Sequence, residues 1–309
     1  MEDKVLKIEH LSHRYSSSWA VRDVNFEIER HDICGLLGPN GAGKSTIMNV
    51  VCGILRQMSG KVTIAGIDIQ ENPLEAKRHI GFLPQVPPVY SDFTIEEYLR
   101  HAAEMRRVPD REIKKAMGEV MEQCGISHFR KRLLKNLSGG YKQRVGIAQA
   151  IIHKPDLVVF DEPTNGLDPT QVLEIRQLLR EIVRNSTVLI STHILSEVQA
   201  VCNKIVMMER GKIIFKGSTS DFDNYILPDT IFLKFDTEVN AEELEQITSI
   251  TGVEVLGNRC FRVRFMDEME VMENIVNMSV VKEWRLMEMC LERSSMDSIF
   301  SELTKKRSK

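Results

Sequence analysis

Two stretches of the sequence carry residue types that could act on a polyphosphate. The first is Gly38-Pro39-Asn40-Gly41-Ala42-Gly43-Lys44-Ser45-Thr46, which fits the GxxxxGK[ST] spacing. It lies between an apolar strand pattern, Ile33 to Leu37, and the helix-forming Ile47 to Val51. Glycines at this spacing let successive backbone N–H groups face one centre, a helix N-terminus adds its positive dipole end, and Lys44 adds a full positive charge. Ser45 would place a hydroxyl on Mg²⁺ bridging the outer phosphates. A glycine turn that merely starts a helix needs neither the lysine nor the hydroxyl. The second stretch, Leu157-Val158-Val159-Phe160-Asp161-Glu162, is a fully apolar strand ending in two carboxylates. Side chains alternate along a strand, so the two acids diverge. Asp161 can then serve the Mg²⁺ shell while Glu162 points at the water that attacks the γ-phosphate, as general base or water-orienting group.

A third stretch narrows the chemistry. Leu137-Ser138-Gly139-Gly140-Tyr141-Lys142-Gln143-Arg144 heads a helix predicted over Tyr141 to His153. Ser138 is predicted to cap that helix, leaving a hydroxyl and the backbone N–H groups of Gly139 and Gly140 facing outward as a second anion site. This string closely resembles the LSGGQ signature of the ATP-binding cassette (ABC) family, with Tyr141 where glutamine is usual. The resemblance covers residues 1 to about 217, and it implies ATP and Mg²⁺ as the bound species. It also implies further roles. Tyr15 would stack on the adenine ring, although taken alone this aromatic reads as surface or core packing. Gln85, in Leu83-Pro84-Gln85, would sense Mg²⁺ and the attacking water. Asp168, in Asn165-Gly166-Leu167-Asp168-Pro169, would lie at a dimer seam. His193, after Leu189-Ile190-Ser191-Thr192, would contact the γ-phosphate. In this family the signature completes the site of the opposite subunit. A head-to-tail dimer with two sandwiched ATPs is therefore expected, most simply a homodimer.

The elements that must position these residues follow from periodicity. Short apolar runs at Val62 to Ala65, Thr187 to Ser191 and Ile205 to Met208 alternate with amphipathic segments, the pattern of an α/β sheet with crossover helices. Met1-Glu2-Asp3-Lys4 opens a first strand, and His10 and His13 are read as surface residues of a first β-hairpin. Glu209-Arg210-Gly211 turns the last of these strands into Lys212 to Phe215. Amphipathic helices at Ile95 to Met105 and Arg111 to Cys124 form a helical insert over about residues 86–136, entered through Pro84, Pro87 and Pro88. The expected fold is thus an α/β P-loop NTPase of the ABC ATPase type, residues 1–217. A small α+β ferredoxin-like domain is expected over residues 218–309. There the order reads strand Thr230 to Phe235, helix Ala241 to Ile250, strands Val253 to Leu256 and Cys260 to Phe265, helix Asp267 to Asn277 and strand Val280 to Leu286. A last helix is expected from the capping residues Ser294 and Ser295 through Met296 to Leu303.

Composition sets the outer bounds. The 309 residues are 42% hydrophobic and 28% charged with net charge −3, which excludes disorder, collagen and coiled coil. Residues 218–309 carry 11 Lys/Arg against 18 Asp/Glu, a net of −7, which leaves +4 for residues 1–217. The six cysteines are widely spaced without a CxxC pair, so they read as reduced thiols and not as zinc ligands. No apolar run approaches the roughly 18 residues that span a bilayer. The expectation is therefore a peripheral ATPase subunit on the cytoplasmic face of the cell membrane, driving substrate through separate transmembrane permease subunits. Arg106, Arg107, Arg130, Lys131 and Arg132 are candidates to face that partner or lipid headgroups, or are simply solvated. Seven of the 15 methionines fall between Met266 and Met296, as core packing or an adaptable partner surface. The alternative, a soluble ABC ATPase acting on nucleic acid or ribosomes, fits poorly with a single cassette and an acidic extension, so no nucleic-acid partner is expected. A module that binds ATP without turning it over is disfavoured by the presence of both Glu162 and His193.

Overall fold

The computed structural model describes residues 4–88, 90–225, 230–266 and 268–292. The chain divides into two compact units, Met1–Thr219 and Ser220–Lys309. The first unit opens on a long antiparallel hairpin, β1 (Lys4–Tyr15) with β2 (Ser18–Glu29). Next come β3 (Ile33–Leu37), α1 (Lys44–Val51), β4 (Ser59–Ile64), β5 (Ile67–Asp68), α2 (Pro73–Arg78) and β6 (Ile80–Leu83). The insert follows as α3 (Ile95–Met105) and α4 (Asp110–Gln123). A return through α5 (Gly139–Ile151), β7 (Leu157–Asp161), α6 (Pro169–Ile182), β8 (Thr187–Thr192), α7 (Leu195–Val201), β9 (Lys204–Glu209) and β10 (Lys212–Ser218) completes the unit.

Two sheets result. The smaller is antiparallel in the order β2-β1-β4-β5, and the larger runs β10-β9-β3-β8-β7-β6. In the larger, β9, β3, β8, β7 and β6 are mutually parallel, with β10 added antiparallel at the edge. Every residue of β3, β7 and β8 is buried, and the runs Leu157 to Phe160 and Val188 to Ile190 are wholly apolar, as expected for a sheet covered on both faces. The core joins both sheets through Leu6, Ile28, Leu36, Ile47, Val159 and Leu189. Because the five strands are parallel, their C-terminal ends share one edge, where an open α/β sheet binds its ligands.

Helix α3 starts at a complete capping box. Glu97 N–H donates to Thr94 Oγ1 at 3.3 Å, and Thr94 N–H donates to Glu97 Oε2 at 2.8 Å. It buries Ile95, Tyr98 and Leu99. Arg106 is partly internal: it donates to the Lys77 carbonyl at 3.1 Å. Arg130 pairs with Glu96 at 2.7 Å, and the Arg132 guanidinium lies 5.0 Å from the Phe129 ring centre. The hairpin reading of the two early histidines holds for His10, exposed and 2.8 Å from Asp23, but not for His13. Register shifts around Leu11 and His13 turn that ring inward, where it is buried edge-on to Tyr15.

After α8 (Thr219–Tyr225), the second unit contains β11 (Thr230–Phe235), α9 (Ala241–Glu245), β12 (Ile250–Gly257), β13 (Cys260–Phe265), α10 (Glu268–Val281) and β14 (Leu286–Glu292). Its sheet is antiparallel in the order β12-β13-β11-β14, the connectivity of a split βαβ unit. Strands β11 and β13 alternate, burying Ile231, Leu233, Phe235, Phe261 and Val263 with Trp284. The final strand lies beyond the expected Val280 to Leu286. Those valines belong to α10, which continues because Ile275 and Ser279 are buried on one helical face, with Ser279 Oγ donating to the Ile275 carbonyl at 2.7 Å. Glu283, at φ +55°, turns the chain, and β14 then pairs with β11. The helix expected to reach Ile250 stops at Glu245, because Ile250 joins β12. Met266, Met269 and Met287 are exposed while Met272, Met278 and Met289 pack on the core, so packing explains only some of the methionines. The helix expected from Ser294 lies outside the described residues, as do Met1, Glu2, Asp3 and Asp267.

Candidate functional site

The sheet order β3-β8-β7-β6 brings four loops together. Strand β3 ends at Leu37 and releases the glycine loop, β8 ends at Thr192 before His193, β7 ends at Asp161 before Glu162, and β6 ends two residues before Gln85. The glycine loop closes on itself, with Ala42 N–H donating to the Pro39 carbonyl at 3.2 Å. Gly43 is the N-cap of α1 at φ +104°, and a Cβ there would stand 2.5 Å from the Ala20 carbonyl oxygen. Only glycine fits that close approach. Lys44 folds back along the loop, its Nζ donating to the carbonyls of Gly38 at 2.7 Å and Pro39 at 3.1 Å. Burial lowers the Lys44 pKa, while the carboxylates of Glu162 and Asp161 act in the opposite direction.

Glu162 is the hub of the site. It leaves the strand in the left-handed conformation, φ +48°, and its N–H is held by the Ser191 carbonyl at 3.2 Å and the Ser191 hydroxyl at 3.0 Å. Its Oε2 accepts from Gln85 Nε2 and Asn165 Nδ2, each at 3.2 Å, and its Oε1 lies 3.1 Å from His193 Nδ1. A non-glycine residue held in this backbone conformation at a strand end marks a place where structure over-determines a side chain's direction. Asp161 is buried beside it and accepts a hydrogen bond from the Ser191 hydroxyl. Behind the loops, buried Glu197 accepts from Thr164 at 2.6 Å and Thr192 at 2.7 Å, tying the chain after β7 to the end of β8.

A cleft of about 550 Å³ lies over these groups. Tyr15, Trp19, Lys44, Ser45, Gln85 and Glu162 are on its walls, with Asn40, Gly41, Gly43 and Thr46 along the floor. Gly38, Pro39 and Ala42 of the same loop do not line it; Gly38 and Ala42 are buried and Pro39 is exposed. Tyr15 and Trp19, 52% and 46% exposed, stand at one end, and the guanidinium groups of Arg14 and Arg22 lie 5.8 and 6.0 Å from the Trp19 ring centre.

Ser138, Gly139 and Gly140 do not line this cleft. Ser138 occupies the N-cap position of α5, but its hydroxyl makes no capping bond, which corrects that expectation; it and Gly139 are exposed. Gly140 is buried against α6, where a Cβ would meet the Gln171 side chain at 2.6 Å. Helix α5 is nevertheless fastened to the acidic strand, because buried Gln143 donates to the Pro163 carbonyl at 2.9 Å. Asp168 caps α6, accepting from Gln171 N–H at 2.9 Å, and is exposed.

Sequence reasoning missed Ser191, Asn165 and Trp19. A serine directly after the apolar Val188 to Ile190 run, and a tryptophan four residues after Tyr15, were the available signals. Among the described residues no group of acidic, histidine or cysteine side chains forms a metal cluster, and no helix is long and apolar enough to cross a membrane.

The family described as ABC transporter matches residues 21–165. The chain is 37% identical over 217 residues to the ABC transporter ATP-binding protein YxlF of Bacillus subtilis, covering 70% of this chain and 72% of that protein. It is also 37% identical over 212 residues to the bacitracin transport ATP-binding protein BcrA of Bacillus licheniformis, covering 68% of each. Among solved structures, cbiO1 from Clostridium perfringens, part of the ABC transporter complex cbiONQ, superposes with a TM-score of 0.67 at 31% identity. The match covers 72% of this chain and 92% of that one.

Proposed function

This chain belongs to the family of ABC transporter ATP-binding proteins, and from that premise we propose that it is the ATP-hydrolysing subunit of a transporter whose membrane subunits are separate polypeptides. The observation that carries this reading is the Glu162 carboxylate, held by Gln85, Asn165 and His193 beside the glycine loop and Lys44.

ATP would lie along the cleft with its base against Tyr15 and Trp19. Its phosphates would sit over the N–H groups of residues 40–46, drawing Lys44 Nζ from the Gly38 and Pro39 carbonyls. The oxygen donors of Ser45, Gln85 and Asp161 suit Mg²⁺, a hard cation, and Ser191 fixes Asp161 by occupying one of its oxygens. Bound there, the ion would neutralise charge on the outer phosphates. Glu162 would take a proton from the attacking water, and Gln85 and His193 would hold that carboxylate and the γ-phosphate in register.

The exposed Ser138 and Gly139, at the head of α5, lie away from the cleft of their own chain. Their backbone N–H groups and hydroxyl suit the γ-phosphate of a second copy, so two chains would close head-to-tail on two ATPs. Beside Gln85, exposed Val86, Tyr90 and Phe93 offer an apolar patch through which a permease could feel that closure at the cytoplasmic face. The test is to purify the protein from its native membrane and identify what accompanies it. A stoichiometric multispanning polypeptide is expected; salt-sensitive association with nucleic acid and no membrane polypeptide would reverse the reading.

A further inference from the structure

The residues that hold Glu162 are themselves gripped from behind. Asn165 and His193 reach the two oxygens of its carboxylate, and each follows directly on a buried threonine, Thr164 and Thr192. Both threonine hydroxyls donate to one buried side chain that does not line the cleft, Glu197. Thr164 Oγ1 donates to Glu197 Oε1 at 2.6 Å, and Thr192 Oγ1 donates to Glu197 Oε2 at 2.7 Å.

Chemistry and packing both mark Glu197 as more than filling. It is 7% exposed, and among the described residues its side-chain partners are these hydroxyls, with no cation paired to it. A buried carboxylate without a counter-ion is costly unless a donor takes each oxygen, and contacts of 2.6 and 2.7 Å have the short length of charge-assisted bonds. The Thr192 hydroxyl oxygen also accepts from the Ile194 N–H at 3.1 Å, so its proton is the one directed at Glu197. Among side chains of this length only a carboxylate accepts at both ends; a glutamine amide would set its NH₂ group against one hydroxyl and leave that proton without an acceptor. The carboxylate also has a firm base. It stands in the first turn of α7, which lies so close to β3 that a Cβ on Gly35 would meet Val198 at 2.8 Å and Cys202 at 3.0 Å. Arg180 of α6 fastens the other end of α7, donating to the Ala200 carbonyl at 2.7 Å. Pro163, the residue before Thr164, accepts from Gln143 of α5. From a helix seated on the sheet, Glu197 thus sets the spacing between the loop after β7 and the end of β8.

We propose that Glu197 is a positioning residue for hydrolysis: by holding Thr164 and Thr192 together, it keeps Asn165 and His193 on the Glu162 carboxylate. The proposal rests on the reading of Glu162 as the base. The test compares Glu197→Gln, Glu162→Gln and the double variant in the full chain, by single-turnover phosphate release and equilibrium ATP binding. Glu197→Gln should slow release by about 10–100-fold with ATP affinity within about threefold, because orientation is lost and binding is not. In the Glu162→Gln chain the same change should cost less than about twofold, since the carboxylate it acts through has already lost its basicity. A substitution that merely loosened the fold would slow both backgrounds alike. Thr164→Val should reproduce the loss and Thr164→Ser should recover most of it, a pair that keeps the test decisive if Glu197→Gln does not fold. Wild-type release from a folded Glu197→Gln chain, a loss confined to ATP affinity, or equal slowing in both backgrounds would overturn the proposal and leave Glu162 as the base. Wild-type release from Glu162→Gln would instead remove the base, and this proposal with it.

Discussion

His193 Nδ1 lies 3.1 Å from Glu162 Oε1, so a loop residue after β8 steadies a carboxylate at the end of β7. The other oxygen of the same carboxylate is held by Gln85 from β6 and by Asn165. The geometry gives His193 a job that does not require it to be charged, which is to hold Glu162 in one rotamer.

Replacing His193 by alanine should therefore lower kcat for ATP hydrolysis by about 10–100-fold while leaving ATP affinity within about threefold, because the loss falls on orientation and not on binding. Steady-state phosphate release and equilibrium nucleotide binding, measured on the same preparation, separate the two effects. A rise in KM alone would move His193 from positioning to binding.

Ser191 is buried and donates to Asp161 while holding the Glu162 backbone. Ser191→Ala should raise the Mg²⁺ concentration needed for half-maximal turnover by about tenfold, as for other groups that orient a metal ligand. Titrating Mg²⁺ at fixed ATP checks this, and excess Mg²⁺ should restore part of the rate.

His153 makes the first unit sensitive to acid. Its pKa is about 4 in the folded chain against an ordinary 6.5, so below pH 6.5 the unfolded state takes up a proton that the folded state refuses. Stability contributed by the neutral ring is complete above pH 6.5 and is lost as pH falls from 6.5 to 4, by up to about 3 kcal/mol. Urea unfolding in sulfate-free, phosphate-free buffer should show this slope, and His153→Gln should flatten it.

Ser138 and Lys44 test the shared site. Ser138→Arg and Lys44→Ala should each abolish most turnover alone, yet an equimolar mixture should recover activity, since one of its two composite sites is intact. Recovery approaching a quarter of the wild-type rate is expected if chains exchange freely and sites act independently, an order-of-magnitude figure. Failure of any rescue would count against sites built from two chains.

Much of this was legible in local sequence and some was not. The glycine loop announces itself because its residues act through neighbours a few positions away, as Ala42 does with Pro39 and Lys44 with Gly38 and Pro39. The apolar strand ending in Asp161 and Glu162 is equally local. The partnership of Ser191 with Asp161 spans 30 residues and exists only because β8 pairs with β7 in the sheet. Likewise Trp19 reaches the cleft only through the hairpin. The last strand was misplaced because Val280 and Val281 favour strands intrinsically, whereas burial of Ile275 and Ser279 keeps the helix going.

Glu162→Gln tests the central claim most directly, because it keeps the hydrogen-bonding shape of the side chain and removes its basicity. Single-turnover phosphate release should slow by about 10²–10⁴-fold with ATP still bound and an ATP-loaded dimer accumulating. Release at the wild-type rate would contradict the assignment of Glu162 as the base.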